Sequence, residues 1–261
     1  MAFEGLIDTH CHLDAPEFGD GVAGVLERAR AAGVSGFIVP AVERANFDAV
    51  QALSDRHPDV RHALGIHPLY VTGARPSDLE LLEQQLAQGG AIAVGEIGLD
   101  HYVSDIDPEL QREYFVAQLK LARRFGLPVI LHVRRAIDAI LKELRRIEVP
   151  GGIAHAFNGS RQQADIFVAM GFKLGFGGSS TYSGSTRIRA LAATLPAQAL
   201  VLETDAPDIR PEWAQDRANE PQNLPRIASI IAELRGTSVE ELVQQTACNA
   251  RSVFPGLSGQ T

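Results

Sequence analysis

The chain has 261 residues, 45% apolar and 21% charged, a balance that excludes disordered and collagen-like classes and supplies a sizeable core. Its 24 basic and 32 acidic side chains give a net charge of −8, so nucleic acid cannot be held by the global field and any phosphate must meet local cations. Cys11 and Cys248 are too few for a disulfide framework, the opening MAFEGLIDTHCHLD lacks the pattern of a secretion signal, and no later stretch reaches membrane-spanning length. The expectation is a cytoplasmic, monomeric protein with no membrane partner.

Short apolar runs predict strands near Leu6–His12, Gly36–Val42, Arg61–His67, Ala91–Ile97, Pro128–Val133, Gly152–Phe157, Phe172–Phe176 and Ala199–Glu203. Amphipathic segments separate them. The clearest runs over Pro108–Phe125, with Asp107 as N-cap, Pro108 at the first helical position and Gly126 as the stop. From about Pro221, two further helices separated near Gly236, the second capped by Thr237 or Ser238, are expected to complete an outer helical layer. Eight strand–helix units in this length, with no linker or repeat, predict an α/β fold of the TIM-type (β/α)8 barrel class as one domain over 1–261. The long aperiodic stretch Pro207–Asn223 follows the last strand and is expected to face substrate.

Chemistry concentrates at the ends of the predicted strands. His10 and His12 alternate on the first, and strand alternation sends both imidazoles to one side with Cys11 opposite. Glu96, His132, His155 and Asp205 each close an apolar run, where a polar side chain must find a partner, and barrel strand ends converge on one mouth. Four imidazoles and two carboxylates suit one or two divalent metal ions such as Zn, Mn or Mg, whereas a satisfied polar network is the bland alternative. His67, in GIHP, reaches the same mouth, and His101 follows a similar pattern. His57 and His62 read as surface or structural. Asp8 and Asp100 are expected to support ligands, and Glu203 either meets the site or pairs with an interior arginine.

The strings IDTHCHLD, GIHP, GEIGLD, PVILHVRRA, HAFNGS, ETDAP and TACNARSVF, in this order and across nearly the whole chain, resemble the TatD family of metal-dependent hydrolases among the amidohydrolase-like barrels, with HVRRA and ETDAPD nearest its YjjV-type branch. The resemblance implies a deoxyribonuclease that hydrolyses phosphodiester bonds, with 3′–5′ exonuclease action on single-stranded DNA as its transient partner. It further implies that His10, His12, Glu96 and Asp205 hold one metal and Glu96, His132 and His155 a second, Glu96 bridging, with His67 and Arg134 near the substrate phosphate. Ala156 stands where the family often has Cys, and His101 where it often has Tyr.

Glu96 and Asp205 are the expected catalytic carboxylates, the latter orienting or deprotonating the attacking water. Arg134, Arg135 and Arg161 are candidate phosphate contacts, and Phe18, Phe157, Phe176, Tyr182 and Trp213 candidate base-stacking residues. The rivals are an amidohydrolase or lactonase acting on a small molecule, and a binding protein with a vestigial site. Many C–N-cleaving barrels bridge their metals with a carbamylated lysine, yet Lys120, Lys142 and Lys173 all lie away from strand ends carrying a ligand.

Overall fold

The computed structural model describes residues 5–257, so the expected domain extends at each end beyond the described residues. Eight parallel strands alternate with helices: β1 (Leu6–Asp8), β2 (Val34–Pro40), β3 (Val60–Ala63), β4 (Val94–Asp100), β5 (Val129–Arg134), β6 (Gly152–Ala154), β7 (Phe172–Phe176) and β8 (Leu200–Leu202). The outer helices are α1 (Val22–Ala31), α2 (Phe47–Arg56), α3 (Pro76–Gln88), α4 (Pro108–Phe125), α5 (Ile137–Arg146), α6 (Arg161–Ala169), α7 (Thr186–Thr194) and α8 (Leu224–Arg235), followed by α9 (Val239–Val253).

Strand pairing forms two arcs, β1–β2–β3 and β4 through β8, and backbone contacts close them into a (β/α)8 barrel. On one side Leu64 bridges Val94 and the Gly95 amide donates to the Leu64 carbonyl at 2.9 Å. On the other, the Thr9 amide donates to the Leu202 carbonyl at 3.0 Å and the Asp205 amide to the His10 carbonyl at 2.8 Å.

Two apolar layers follow from strand alternation. The larger packs outward faces against the helices; the smaller gathers Ile7, Ile38, Ala63, Ala93, Ile130, Ile153 and Val201, one from almost every strand, inside the barrel. His132, His155 and Glu203 lie two residues beyond Ile130, Ile153 and Val201, so the polar layer of the mouth rests on this apolar floor. Ala247, Ala250 and Phe254 join the floor from below. Thus α9, expected in the outer layer, instead closes the base of the barrel, because its small-residue face admits close approach to the strands. Truncating the fully buried Phe254 to alanine is expected to cost about 3 kcal/mol and to lower the urea midpoint at constant m; a loss under about 1 kcal/mol would show that the plug carries no such load.

Helix α4 has the expected bounds, with the Asp107 carboxylate accepting from the Glu109 amide at 2.9 Å and Gly126 left-handed at φ 63°. The first strand is shorter than expected. Asp8 Oδ1 accepts from the His10 amide (3.3 Å) and the Thr204 amide (2.9 Å), and Oδ2 accepts from the Thr204 hydroxyl (2.5 Å), so a side chain takes over donors that a continued ladder would use. β6 and β8 likewise stop just short of His155 and Asp205. Among the described residues, the non-glycine positions with positive φ are Arg135, Ala156, Asp205 and Ile209, all in the segments following β5, β6 and β8. Strained backbone therefore collects at the mouth, where function concentrates.

Candidate metal centre

Glu96 is the hub. Its position depends on Gly98, which takes φ +151° and lies so close to β5 that a Cβ there would stand 2.0 Å from the His132 carbonyl oxygen. The carboxylate is 2% exposed. Its Oε2 lies 3.2 Å from His10 Nε2 and 3.5 Å from His12 Nε2, while Oε1 lies 3.0 Å from His132 Nδ1 and 3.0 Å from His155 Nε2. The two oxygens thus face two different sets of imidazoles.

The first set is completed by Asp205, whose Oδ1 lies 3.4 Å from His10 Nε2 and 3.7 Å from His12 Nε2; the two histidine nitrogens are 3.2 Å apart. A tetrahedral set of donors about 2.0–2.2 Å from a zinc-like ion has edges of roughly 3.3–3.6 Å. The separations observed, 3.2 to 3.7 Å, fit that figure. The second set has His132 Nδ1 and His155 Nε2 3.5 Å apart, both beside Glu96 Oε1. His155 also reaches toward the first set, stacking on His10 with centroids 4.0 Å apart. His10 and His12 come together although both lie beyond β1: the Cys11 amide donates to the Ile38 carbonyl (3.1 Å) and the His12 amide to the Ala206 carbonyl (2.7 Å), keeping the segment extended.

Neighbouring groups fix these rings. Asp100 Oδ2 lies 3.1 Å from His132 Nε2, the arrangement in which a carboxylate orients an imidazole whose other nitrogen is free for a metal. Asp8 acts differently from expectation, holding the His10 backbone amide rather than its ring, and the buried His10 Nδ1 has no hydrogen-bond partner among the described residues. His67 Nδ1 accepts from the Leu69 amide at 3.1 Å, which places the proton of the neutral ring on Nε2, 3.3 Å from Glu96 Oε1. His67 is thereby a donor to the hub carboxylate. Glu203 meets the site rather than an arginine: Oε1 accepts from the Ala156 amide at 2.6 Å and lies 3.8 Å from His155 Nδ1. Its room comes from Gly175, where a Cβ would stand 2.0 Å from Oε2.

Burial pushes the Glu96 carboxyl up, but the imidazoles of His67, His155 and His10 packed around it outweigh that effect and hold the group well below the carboxylate range. Burial disfavours the charged form of His12 and His155 too, yet the carboxylates of Glu96 and Asp205 raise them to about 9 and about 10. His67 is lowered to about 4, chiefly by burial, and so stays neutral. Burial likewise lifts Glu203 to about 8. The pattern is that of a pocket whose buried negative charge calls for cations, supplied by protons on imidazoles or by metal ions.

The other expected contacts separate into three groups. Arg134 stands at the rim with a half-exposed side chain, 3.9 Å from Asp100 Oδ2, whereas Arg161 is tied to Asp165 on its own helix at 2.8 Å and His101 faces solvent. Phe18, Phe157 and Phe176 are core, Trp213 is held by Asn223 and covered by Arg226, and the half-buried Tyr182 donates to the Arg210 carbonyl, so none presents a free ring face at the centre. The large apolar side chains exposed among the described residues are instead Leu69, Tyr70 and Tyr102, on the loops after the third and fourth strands, and sequence patterning did not single them out. Their one signal was position just past GIHP and GLD.

Residues 7–255 match the family described as TatD related DNase. The chain is 42% identical over 251 residues to a metal-dependent hydrolase of Escherichia coli K12, YjjV, covering 95% of this chain and 97% of the relative. The crystal structure of the E. coli K12 TatD homologue YjjV superposes with a TM-score of 0.93 at 41% identity, covering 96% of this chain and 98% of that one. Human deoxyribonuclease TATDN3 is 33% identical over 270 residues, covering 97% of this chain and 96% of its own.

Proposed function

The chain belongs to the TatD family of metal-dependent hydrolases, and from that premise we propose that it is a deoxyribonuclease, acting 3′–5′ on single-stranded DNA through a centre of two divalent ions. One observation carries the reading: the two oxygens of the buried Glu96 face separate sets of imidazoles, as a bridging carboxylate must. His10, His12, Glu96 and Asp205 would hold one ion, and Glu96, His132 and His155 the other, with zinc, manganese and magnesium the candidates. When bound, such ions lower the pKa of water and offset charge on phosphoryl oxygens. Within the protein, Asp205 takes the proton of the attacking water, His67 fixes the Glu96 carboxylate by its Nε2 proton, and Asp100 keeps His132 in register. Arg134 meets the substrate phosphate, answering the net charge of −8 locally. No helix among the described residues is long and apolar enough to cross a membrane.

The test is elemental analysis of the purified protein alongside hydrolysis of end-labelled single-stranded DNA, a small phosphodiester and a simple lactone, before and after chelation. Stoichiometric metal and DNA cleavage that is lost on chelation and restored by metal are expected. Lactone turnover without phosphodiester cleavage, or DNA cleavage indifferent to chelation, would overturn the reading.

A further inference from the structure

The rim beside β5 has a feature that neither the metal centre nor the fold requires. Tyr102 is 51% exposed, and the guanidinium carbons of both Arg134 and Arg135 lie over its ring, 3.9 and 4.7 Å from the centroid. Consecutive residues of an extended strand point to opposite faces. Here Arg135 leaves the strand conformation with a left-handed φ of 54°, a strained value for a residue with a Cβ, and both guanidiniums reach one ring. Like charges are thereby drawn together at the surface of an acidic protein. Arg134 has Asp100 at 3.9 Å, whereas Arg135 forms no ion pair among the described residues and has the ring as its neighbour. Stacking of an exposed guanidinium on a tyrosine is a weak attraction, too little to offset both strain and repulsion for the sake of stability.

On the neighbouring loop after β3, carboxylates from the loops after β1, β2 and β8 lie near Tyr70. Tyr70, packed edge-on against His67, has its phenol pushed up by burial and by the carboxylates of Glu43, Asp14, Asp208 and Glu17. An anionic strand crossing the mouth is repelled there and drawn toward the β5 side. His67, His132, Asp100 and Arg134 connect the two sides through successive contacts, so the cationic rim adjoins the metal-ligating side chains directly.

We propose that Arg135, held in place by Tyr102, forms a subsite for the phosphate of the nucleotide flanking the scissile bond, next to Arg134 on the scissile phosphate itself. The substrate class it selects is a nucleic-acid strand with at least two consecutive phosphodiesters, and the proposal rests on the DNA-hydrolase reading above. Arg135 is the binding group. Tyr102 is a positioning residue, acting through its ring face rather than its hydroxyl.

The test compares metal-loaded wild type with Arg135→Ala, Tyr102→Leu and Tyr102→Phe on a short single-stranded oligonucleotide and on bis(p-nitrophenyl) phosphate, which has no flanking phosphate. Arg135→Ala is expected to raise the oligonucleotide KM about tenfold, to reduce the salt dependence of that KM by about one phosphate contact, and to lower the ratio of oligonucleotide to small-diester turnover at least fivefold. Tyr102→Leu should give the same signature in weaker form, and Tyr102→Phe should restore it. Equal losses on both substrates, an unaltered salt slope, or Tyr102→Phe behaving like Tyr102→Leu would overturn the subsite. Wild-type cleavage of the small diester but of no oligonucleotide would overturn the DNA reading, and the subsite with it; cleavage of both with an unaltered Arg135→Ala variant would overturn the subsite alone. Both side chains are exposed, and a thermal midpoint for each variant separates an unfolded protein from a folded one with weakened binding.

Discussion

Glu96→Gln is expected to lower kcat/KM on DNA by about 1,000-fold or more, equivalent to roughly 4 kcal/mol, and to reduce bound metal in the same preparation. The two effects share a cause. The carboxylate places one oxygen beside His10 and His12 and the other beside His132 and His155, so its two oxygens divide between the two sets. A glutamine of the same shape has a single acceptor oxygen, and its amide protons would face imidazole nitrogens on the other side and occupy their lone pairs. The floor of Ile7, Ile38, Ile130 and Ile153 is untouched, so the far-UV circular dichroism should not change. Activity within threefold of wild type, with metal retained, would remove Glu96 from the bridging position.

The same residues show why the site was legible in the sequence and its surroundings were not. Glu96, His132, His155 and Asp205 each follow a run of apolar residues that could only be buried, and a polar side chain there must be answered from another strand. Helix α4 was legible to its ends because Asp107 and Gly126 cap it by chemistry local to the chain. The end of β1 was not, since it is decided by Asp8 engaging Thr204, 196 residues away. The match between Gly175 and Glu203 is of the same kind, arising from the register of β7 against β8. Aromatic residues misled in the other direction: Phe18, Phe157 and Phe176 are core, while Tyr102, exposed in a chain whose large apolar side chains are otherwise nearly all covered, stands at the rim. Exposure of that sort is settled by which loop follows which strand, and periodicity within a segment does not record it.

Asp205→Asn should separate from Glu96→Gln in a way that tests the division of labour between the two carboxylates. A loss of about 1,000-fold in kcat is expected, with metal content close to that of wild type. Asp205 is the more exposed of the pair, its side chain 12% accessible against 2% for Glu96, so it is the more open to the barrel mouth. Burial raises its carboxyl above the ordinary range, against the opposing pull of His155 and His12, and this carboxylate is the group assigned to take the proton of the attacking water. An amide cannot accept that proton. Its removal still leaves His10, His12 and Glu96 to hold the first ion, the number of protein ligands at which catalytic zinc sites are usually held. The backbone does not confound the comparison, because Asp205 is left-handed at φ 56° and asparagine tolerates that conformation as well as aspartate does. Loss of metal in parallel with activity would make Asp205 a ligand before it is a base. Retention of more than a tenth of the wild-type rate would move the proton acceptor elsewhere, and Glu203, raised to about 8 and 3.8 Å from His155 Nδ1, would be the next group to replace.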